Sequence, residues 1–196
     1  MNNYYFYLIS KIIIKEKFKR RHLLMQIKKN SIIGEIGVWK GEFSEKILKY
    51  CEPNKIILVD PWLYDFKIRG CAPQVSGTDP LSQIYFDQAY EEVLNKFSEK
   101  KNVQICKKNS LESSKIFNDN YFDYIYIDAE HSYNAVKNDL NYWYPKLKIN
   151  GYIFGDDYYW READNSFSVS KAYQDFFKEK NIKNWCVFNS QVIFKK

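Results

Sequence analysis

Phe122-Asp123-Tyr124-Ile125-Tyr126-Ile127-Asp128 and Gly151-Tyr152-Ile153-Phe154-Gly155-Asp156-Asp157 decide the fold of this chain. Each is a short run rich in aromatic and β-branched residues that ends in acid, which reads as a buried strand with carboxylate at its carboxyl end. Ile32–Gly37 reads as the first strand, Lys55–Asp60 as a second apolar run that ends in acid, and Val103–Cys106 as a shorter strand. Helical stretches separate them: a lead-in over about 3–28, then 41–50, 84–99 with Ala89, Val93, Leu94 and Phe97 on one face, 110–117, 132–147 and 167–180. Lys148-Ile149-Asn150-Gly151 reads as a turn into the last parallel strand. Trp185–Phe188 and Gln191–Phe194, split by Asn189-Ser190, form a hairpin. Alternating strands and helices predict an α/β fold: a mostly parallel seven-stranded sheet with helices on both faces and an antiparallel C-terminal hairpin.

The acids at the strand ends carry the first functional signal. Asp128, Asp156 and Asp157 converge on the sheet edge where open α/β folds bind ligands. Like charges held close raise one another's pKa unless a cation lies between them. A hard divalent ion such as Mg²⁺ suits three carboxylates. Helix capping, or direct contact with a ligand, is the competing use of the same residues.

A second signal lies at the first strand-to-helix turn, Glu35-Ile36-Gly37-Val38-Trp39-Lys40-Gly41. Glycines there allow close backbone approach, and a helix start offers free N–H groups. The pattern lacks the first glycine of the dinucleotide fingerprint and the Lys-Ser/Thr of a P-loop. An acid at Glu35 suits a ligand with a positive group, such as an α-amine. Asp60, some twenty residues on, is placed to accept from both hydroxyls of a ribose. Its other reading is a cap or turn residue.

Composition bounds the rest. The 196 residues suit one domain, and 45% hydrophobic with 18% aromatic residues indicates a folded globule. Eight of the 30 Lys/Arg and one of the 24 Asp/Glu lie in residues 1–30, leaving 22 bases against 23 acids beyond. The division is therefore a basic helical arm over 1–30 and a near-neutral body over 31–196. Nucleic acid, anionic lipid or an acidic partner could meet the arm, while a solvated helix face is the simpler reading. Four scattered cysteines, with no CxxC, give neither a zinc site nor a disulfide framework, and reduced thiols fit the cytoplasm. Tyr4–Ile14 is too short to span a bilayer.

Taken in order, Gly34–Gly41, Val59-Asp60-Pro61-Trp62, Asn109-Ser110-Leu111-Glu112, Phe122–Tyr133 and Gly151–Tyr158 resemble the class I S-adenosylmethionine-dependent methyltransferases. More narrowly, the chain is similar to the small metal-dependent O-methyltransferases that act on macrolide sugars and catechols. The resemblance covers about residues 30 to 160 and implies a Rossmann-like methyltransferase fold. It implies that Glu35, Gly37 and Gly41 hold the methionine part of S-adenosylmethionine, that Asp60 binds its ribose, and that Trp62, Asn109 and Ser110 lie by the adenine. Asp128, Asp156 and Asp157 would ligate Mg²⁺ or a similar ion, with Asp128 also bordering the cofactor. His131 stands where the catechol enzymes have a lysine base; its other reading is a cap at the start of the helix at Ser132.

The implied reaction is O-methylation of a hydroxyl on a sugar, glycan or other small molecule. A metal acidifies the alcohol, and a histidine accepts its proton. Two alternatives stand beside it: a metal-independent methyltransferase, and a nucleic-acid-binding protein or RNA methyltransferase that uses the arm. Against the second, the body is not basic, and Asp128-Ala129-Glu130-His131 replaces the Asp/Asn-Pro-Pro-aromatic signature of N-methylation. The irregular stretch 61–83 is placed to serve as a lid or substrate loop. A homo-oligomer is compatible with all of these readings.

Overall fold

A computed structural model describes residues 20–65, 83–162 and 164–196. Most of the basic arm and most of the 61–83 stretch lie outside the described residues. The elements are α1 (Arg21–Leu24), β1 (Ile32–Ile36), α2 (Glu42–Cys51), β2 (Lys55–Asp60), α3 (Gln83–Phe97), β3 (Val103–Lys107), α4 (Ser110–Ser114), β4 (Phe122–Ile127), α5 (Tyr133–Trp143), β5 (Leu147–Gly155), α6 (Ser168–Glu179), β6 (Trp185–Phe188) and β7 (Gln191–Lys195). They form one sheet in the order β3-β2-β1-β4-β5-β7-β6. The first five strands in that order are parallel, and β7 runs antiparallel to both β5 and β6. The expected seven-stranded α/β sheet with a C-terminal hairpin is what the chain forms.

Strand alternation divides the apolar side chains between two layers. Ile33, Ile56, Leu58, Tyr126 and Phe154 face Phe43 and Ile47 of α2 and Val93 and Phe97 of α3. Ile57, Val59, Ile125, Ile127 and Ile153 face Leu140 and Trp143 of α5 and Tyr173 and Phe176 of α6. Both faces are therefore covered, which explains why the central strands read as continuous apolar runs. The arm joins the first layer: Leu23, Leu24 and Ile27 are buried there, so residues 20–30 are fixed to the body.

One local expectation is corrected. Lys148–Gly151 is not a turn ahead of the strand but an irregularity inside β5, which already begins at Leu147. Leu147 pairs with Phe122 and Tyr152 with Tyr124, so β5 carries extra residues between the two pairs. Asn150, at φ +68°, supplies the left-handed bend. The C-terminus ties the irregularity down: Asn150 N donates to Lys196 O and Lys196 N to Gly151 O. The turn-forming residues are real, but sheet pairing on both sides absorbs them.

The order of β1 and β4 places the site. The chain winds outward from β1 through β2 to β3, then returns to β4 and winds the other way. The carboxyl ends of β1 and β4 border the crevice at this reversal. Beside it, Gly155 packs so tightly under α6 that a Cβ would overlap the Tyr173 hydroxyl and ring. Gly155→Ala is expected to cost about 1–3 kcal/mol through overpacking. Adding Tyr173→Phe should recover part of that loss in urea denaturation. An undiminished loss in the double variant would show that the hydroxyl is not the obstruction.

Candidate active site

The β1–α2 turn is built from backbone constraints. Gly37 has φ +87°, and a Cβ on it would overlap the Asp128 carbonyl oxygen. Gly41, at φ +73°, is the N-cap of α2 and leaves room only for the Phe97 ring. These two glycines bring the turn against β4 and α3. Asp60, ending β2, fastens the turn from below. Its Oδ2 accepts from Val38 N at 2.9 Å and Trp39 N at 3.0 Å, and its Oδ1 from Trp62 N at 2.8 Å. Both tryptophans have positive φ, +53° and +43°, a conformation that costs about 1–3 kcal/mol for such residues unless the surroundings impose it. Asp60 and the bond from Trp62 Nε1 to Trp39 O (2.8 Å) do so. Burial raises the Asp60 pKa despite its three N–H donors.

Glu35 lies at the heart of this crevice with 1% of its surface exposed. Ser44 Oγ donates to Glu35 Oε2 at 2.6 Å. Burial pushes the Glu35 carboxyl up to about 8, with the nearby charges of Asp128 and Asp60 adding to the rise and Ser44 and Arg20 opposing it. At neutral pH the group holds a proton until a positive partner arrives.

The second half of the site hangs from the ends of β4 and β5. Asp128 N donates to Ile36 O and Asp156 N to Ile127 O, which sets the ends of β1, β4 and β5 side by side. The three aspartates that follow are not equivalent. Asp156 is buried, with Tyr126 Oη donating to its Oδ2 at 2.5 Å. Its Oδ1 accepts from Gln191 Nε2 at 2.6 Å and from Asp157 N at 2.8 Å. Arg20 joins it at 2.5 Å and bridges to Asp128 Oδ2 at 2.8 Å. Asp157, at φ +48°, projects outward with its side chain 43% exposed.

His131 completes the outer side. Its Nε2 lies 3.3 Å from Asp157 Oδ2 and 3.8 Å from Asp128 Oδ1. Its ring stacks on Trp160, 4.6 Å between centroids. Both ring nitrogens are buried, and neither makes a well-formed hydrogen bond among the described residues. Burial alone would lower the imidazole pKa, but Asp128 and Asp157 outweigh it and raise it to about 9. With only these partners the ring is a cation and cannot accept a proton. Asp128 responds in the opposite direction: burial favours its neutral form, but His131, Arg20 and Tyr126 hold its pKa below the ordinary value.

Ligand atoms of Asp128, His131 and Asp157 lie within 4.8 Å of one another. Imidazole nitrogen and carboxylate oxygen are suitable donors for a divalent ion, and the poorly bonded buried imidazole fits such a role. Asp156 stands apart from this set, its oxygens turned to Tyr126, Gln191 and Arg20. Of the expected trio Asp128, Asp156 and Asp157, two fall in this group, together with His131.

The residues expected on the adenine side, Trp62, Asn109 and Ser110, make the following contacts within the protein. Asn109 caps α4, its Oδ1 accepting from Glu112 N at 2.9 Å. Ser110 Oγ accepts from Trp143 Nε1 at 2.7 Å and bonds to the buried Asp139, whose carboxyl burial pushes up to about 7. Trp62 is fully buried in the core layer that covers α2 and α3. Among the three aromatic residues that follow Asp157, Tyr158 is buried, Tyr159 is exposed, and Trp160 stacks on His131.

Arg20, Tyr126 and Gln191, which contact the aspartates, were not singled out from the sequence. Tyr126 had a signal, since it stands two residues before Asp128 and strand alternation puts both on one face. Arg20 lies within a run of bases, and nothing local sets it apart.

A family model described as a methyltransferase domain matches residues 35–158. No curated protein matches. Among solved structures, the O-methyltransferase NovP is 14% identical, with a TM-score of 0.60 over 91% of this chain and 79% of its own. A Staphylococcus aureus protein described as a caffeoyl-CoA O-methyltransferase is 17% identical, with a TM-score of 0.59 over 96% of this chain and 88% of its own. Spermidine synthase from Thermotoga maritima is 15% identical, with a TM-score of 0.57 over 91% of this chain and 59% of its own. These likenesses establish the fold, and the last shows that the fold also serves an enzyme not named as a methyltransferase. With the family match spanning the Glu35 turn, Asp60, Asp128 and the Asp156-Asp157 pair, the chain belongs to the methyltransferase-domain family, as a class I S-adenosylmethionine-dependent methyltransferase.

Proposed function

We propose that the protein transfers the methyl group of S-adenosylmethionine to a hydroxyl oxygen of a small molecule, such as a sugar or glycan intermediate, with help from a divalent cation such as Mg²⁺. The observation that carries this reading is the placement of Asp128, His131 and Asp157 on the same sheet edge as the Glu35–Gly41 turn. S-adenosylmethionine supplies an electrophilic methyl on a sulfonium, and the cation would orient and acidify the acceptor hydroxyl.

The chain's own residues divide the remaining work. Glu35 is the natural partner of the cofactor's α-amine: a buried carboxyl with a raised pKa becomes a carboxylate when a cation is set against it. Gly37 and Gly41 keep the turn free of side chains where the methionine part would lie. Asp60 already holds the turn and can still accept from a ribose hydroxyl, since two carboxylate oxygens offer about four acceptor sites and three are in use. His131 Nε2, the atom facing both Asp128 and Asp157, is the candidate imidazole ligand, available to an ion once the ring gives up the proton it holds beside their bare charges. A ring so ligated has no lone pair left for the hydroxyl proton, which the acidified hydroxyl would lose to solvent. Trp160, stacked on His131, and the exposed Tyr159 each offer an aromatic surface to a sugar or phenol. The near-neutral body supports a small acceptor over nucleic acid.

Metal-independent transfer is the second reading, and Arg20 favours it, because a guanidinium already stands between Asp128 and Asp156. Turnover in excess EDTA separates the two. The metal-assisted reading expects loss of turnover, restored by Mg²⁺ or Mn²⁺, whereas full turnover in EDTA would establish the second. Asp157→Ala is expected to remove the metal-dependent rate while S-adenosylmethionine affinity stays within roughly threefold, since ligand and cofactor contacts are separate. Parallel loss of both would assign Asp157 to the cofactor.

Glu35 gives a prediction independent of the metal. Its pKa of about 8 in the free protein means that pairing with the cofactor's ammonium drives the proton off. Near pH 6.5, calorimetric titration of S-adenosylmethionine should release about one proton per site, read from the dependence of enthalpy on buffer. Affinity should rise with pH towards 8, and Glu35→Gln should abolish the release. Buffer-independent enthalpy in the wild type would remove Glu35 from the ammonium site.

A further inference from the structure

The position of Arg20 changes the ligand inventory of the site. It is the residue just before α1, and its carbonyl accepts from Leu23 N at 3.1 Å. Leu23, Leu24 and Ile27 anchor that segment in the core. Its guanidinium lies 5.3 Å from the Phe43 ring centroid and 5.4 Å from that of Tyr126, so aromatic faces support the cation. Nη2 joins Asp128 Oδ2 and Asp156 Oδ2. Asp156 thereby meets Tyr126, Gln191, the Asp157 amide and Arg20 together, and its acceptor capacity is filled. Asp128 Oδ1, on the other side of that carboxylate, remains turned to His131.

We propose that Arg20 is a positioning residue of the active site: a built-in cation between Asp128 and Asp156 that withdraws Asp156 from metal ligation and leaves Asp128, His131 and Asp157 as the face that takes a single divalent ion. Charge balance agrees with this division. Asp128, Asp156 and Asp157 bring three negative charges and Arg20 one positive, so a neutral His131 leaves two for one divalent cation to balance. The segment before β1 is then part of the catalytic machinery, through one residue, rather than only a basic extension. This rests on the metal-assisted reading above, but it differs from that reading in which carboxylates it assigns.

A double-mutant cycle in the full-length protein, read by Mn²⁺ binding in solution by electron paramagnetic resonance, tests it without any need for turnover. In the wild-type background, Asp156→Asn should leave the Mn²⁺ dissociation constant within about threefold, whereas Asp157→Ala should raise it at least tenfold. In the Arg20→Gln background, Asp156 is released as a ligand, and Asp156→Asn should then weaken binding at least about tenfold. Arg20→Lys, which keeps the charge, should behave as wild type and guards against a variant that fails to fold; circular dichroism of each variant confirms the fold. A loss of tenfold or more from Asp156→Asn in the wild type would overturn the proposal, because it would make Asp156 a ligand and Arg20 a displaced occupant. Equal effects in both backgrounds would also overturn it. Absence of Mn²⁺ binding in both wild type and Arg20→Gln would overturn it too, and the EDTA experiment decides separately whether the metal-assisted reading falls with it.

Discussion

Five carboxylates share the carboxyl-terminal edge of four neighbouring segments, and the site is arranged around that crowding. Glu35, Asp60, Asp128, Asp156 and Asp157 cannot all be ionised there without compensation. The protein compensates each in a different way. Glu35 keeps its proton and bonds to Ser44. Asp60 spends its charge on three backbone N–H groups. Asp156 takes Tyr126, Gln191 and Arg20. Asp128 and Asp157 share the imidazolium of His131. Each partner is of a different kind, so each carboxylate responds differently when a ligand arrives.

The proposed methyl transfer would draw on that difference. In the proposed reading, the cofactor's ammonium would bring positive charge to the Glu35 side, where an ionisable carboxyl waits. A divalent ion would bring positive charge to the Asp157 side and release His131 from its role as counter-ion. The crevice at the strand reversal lies between these two regions. Binding of both ligands would thus offset much of the crowding, with Arg20 covering Asp156, the carboxylate that neither ligand would reach.

Much of this was legible in the sequence because it follows from local rules. β2, β4 and β5 are apolar runs with acid at or just beyond their carboxyl ends. Gly37 and Gly41 are required by backbone geometry, and both proved to be sites where a Cβ would collide. The roles that were not legible depend on contacts across the fold. Asp156 and Asp157 are adjacent, and only the neighbours Tyr126 and Gln191 turn one inward and leave the other outside. Arg20 sits in a run of bases, yet its partners lie 108 and more residues away. Nothing in the sequence near Ser110 shows that Trp143, 33 residues on, donates to it. The Lys148–Gly151 segment has turn chemistry, but pairing with β4 and the C-terminus makes it an irregular part of β5.

The most direct test of this arrangement is a crystal structure with S-adenosylhomocysteine and Mn²⁺, with anomalous data collected above the manganese edge. The predicted result is the amino-acid end of the ligand against Glu35, its ribose at Asp60, and one anomalous peak within coordinating distance of Asp128, His131 and Asp157, with Arg20 still joined to Asp156. A nucleoside bound elsewhere would contradict the cofactor site. A peak between Asp128 and Asp156, with Arg20 expelled, would contradict the division of charge on which this account of the site depends.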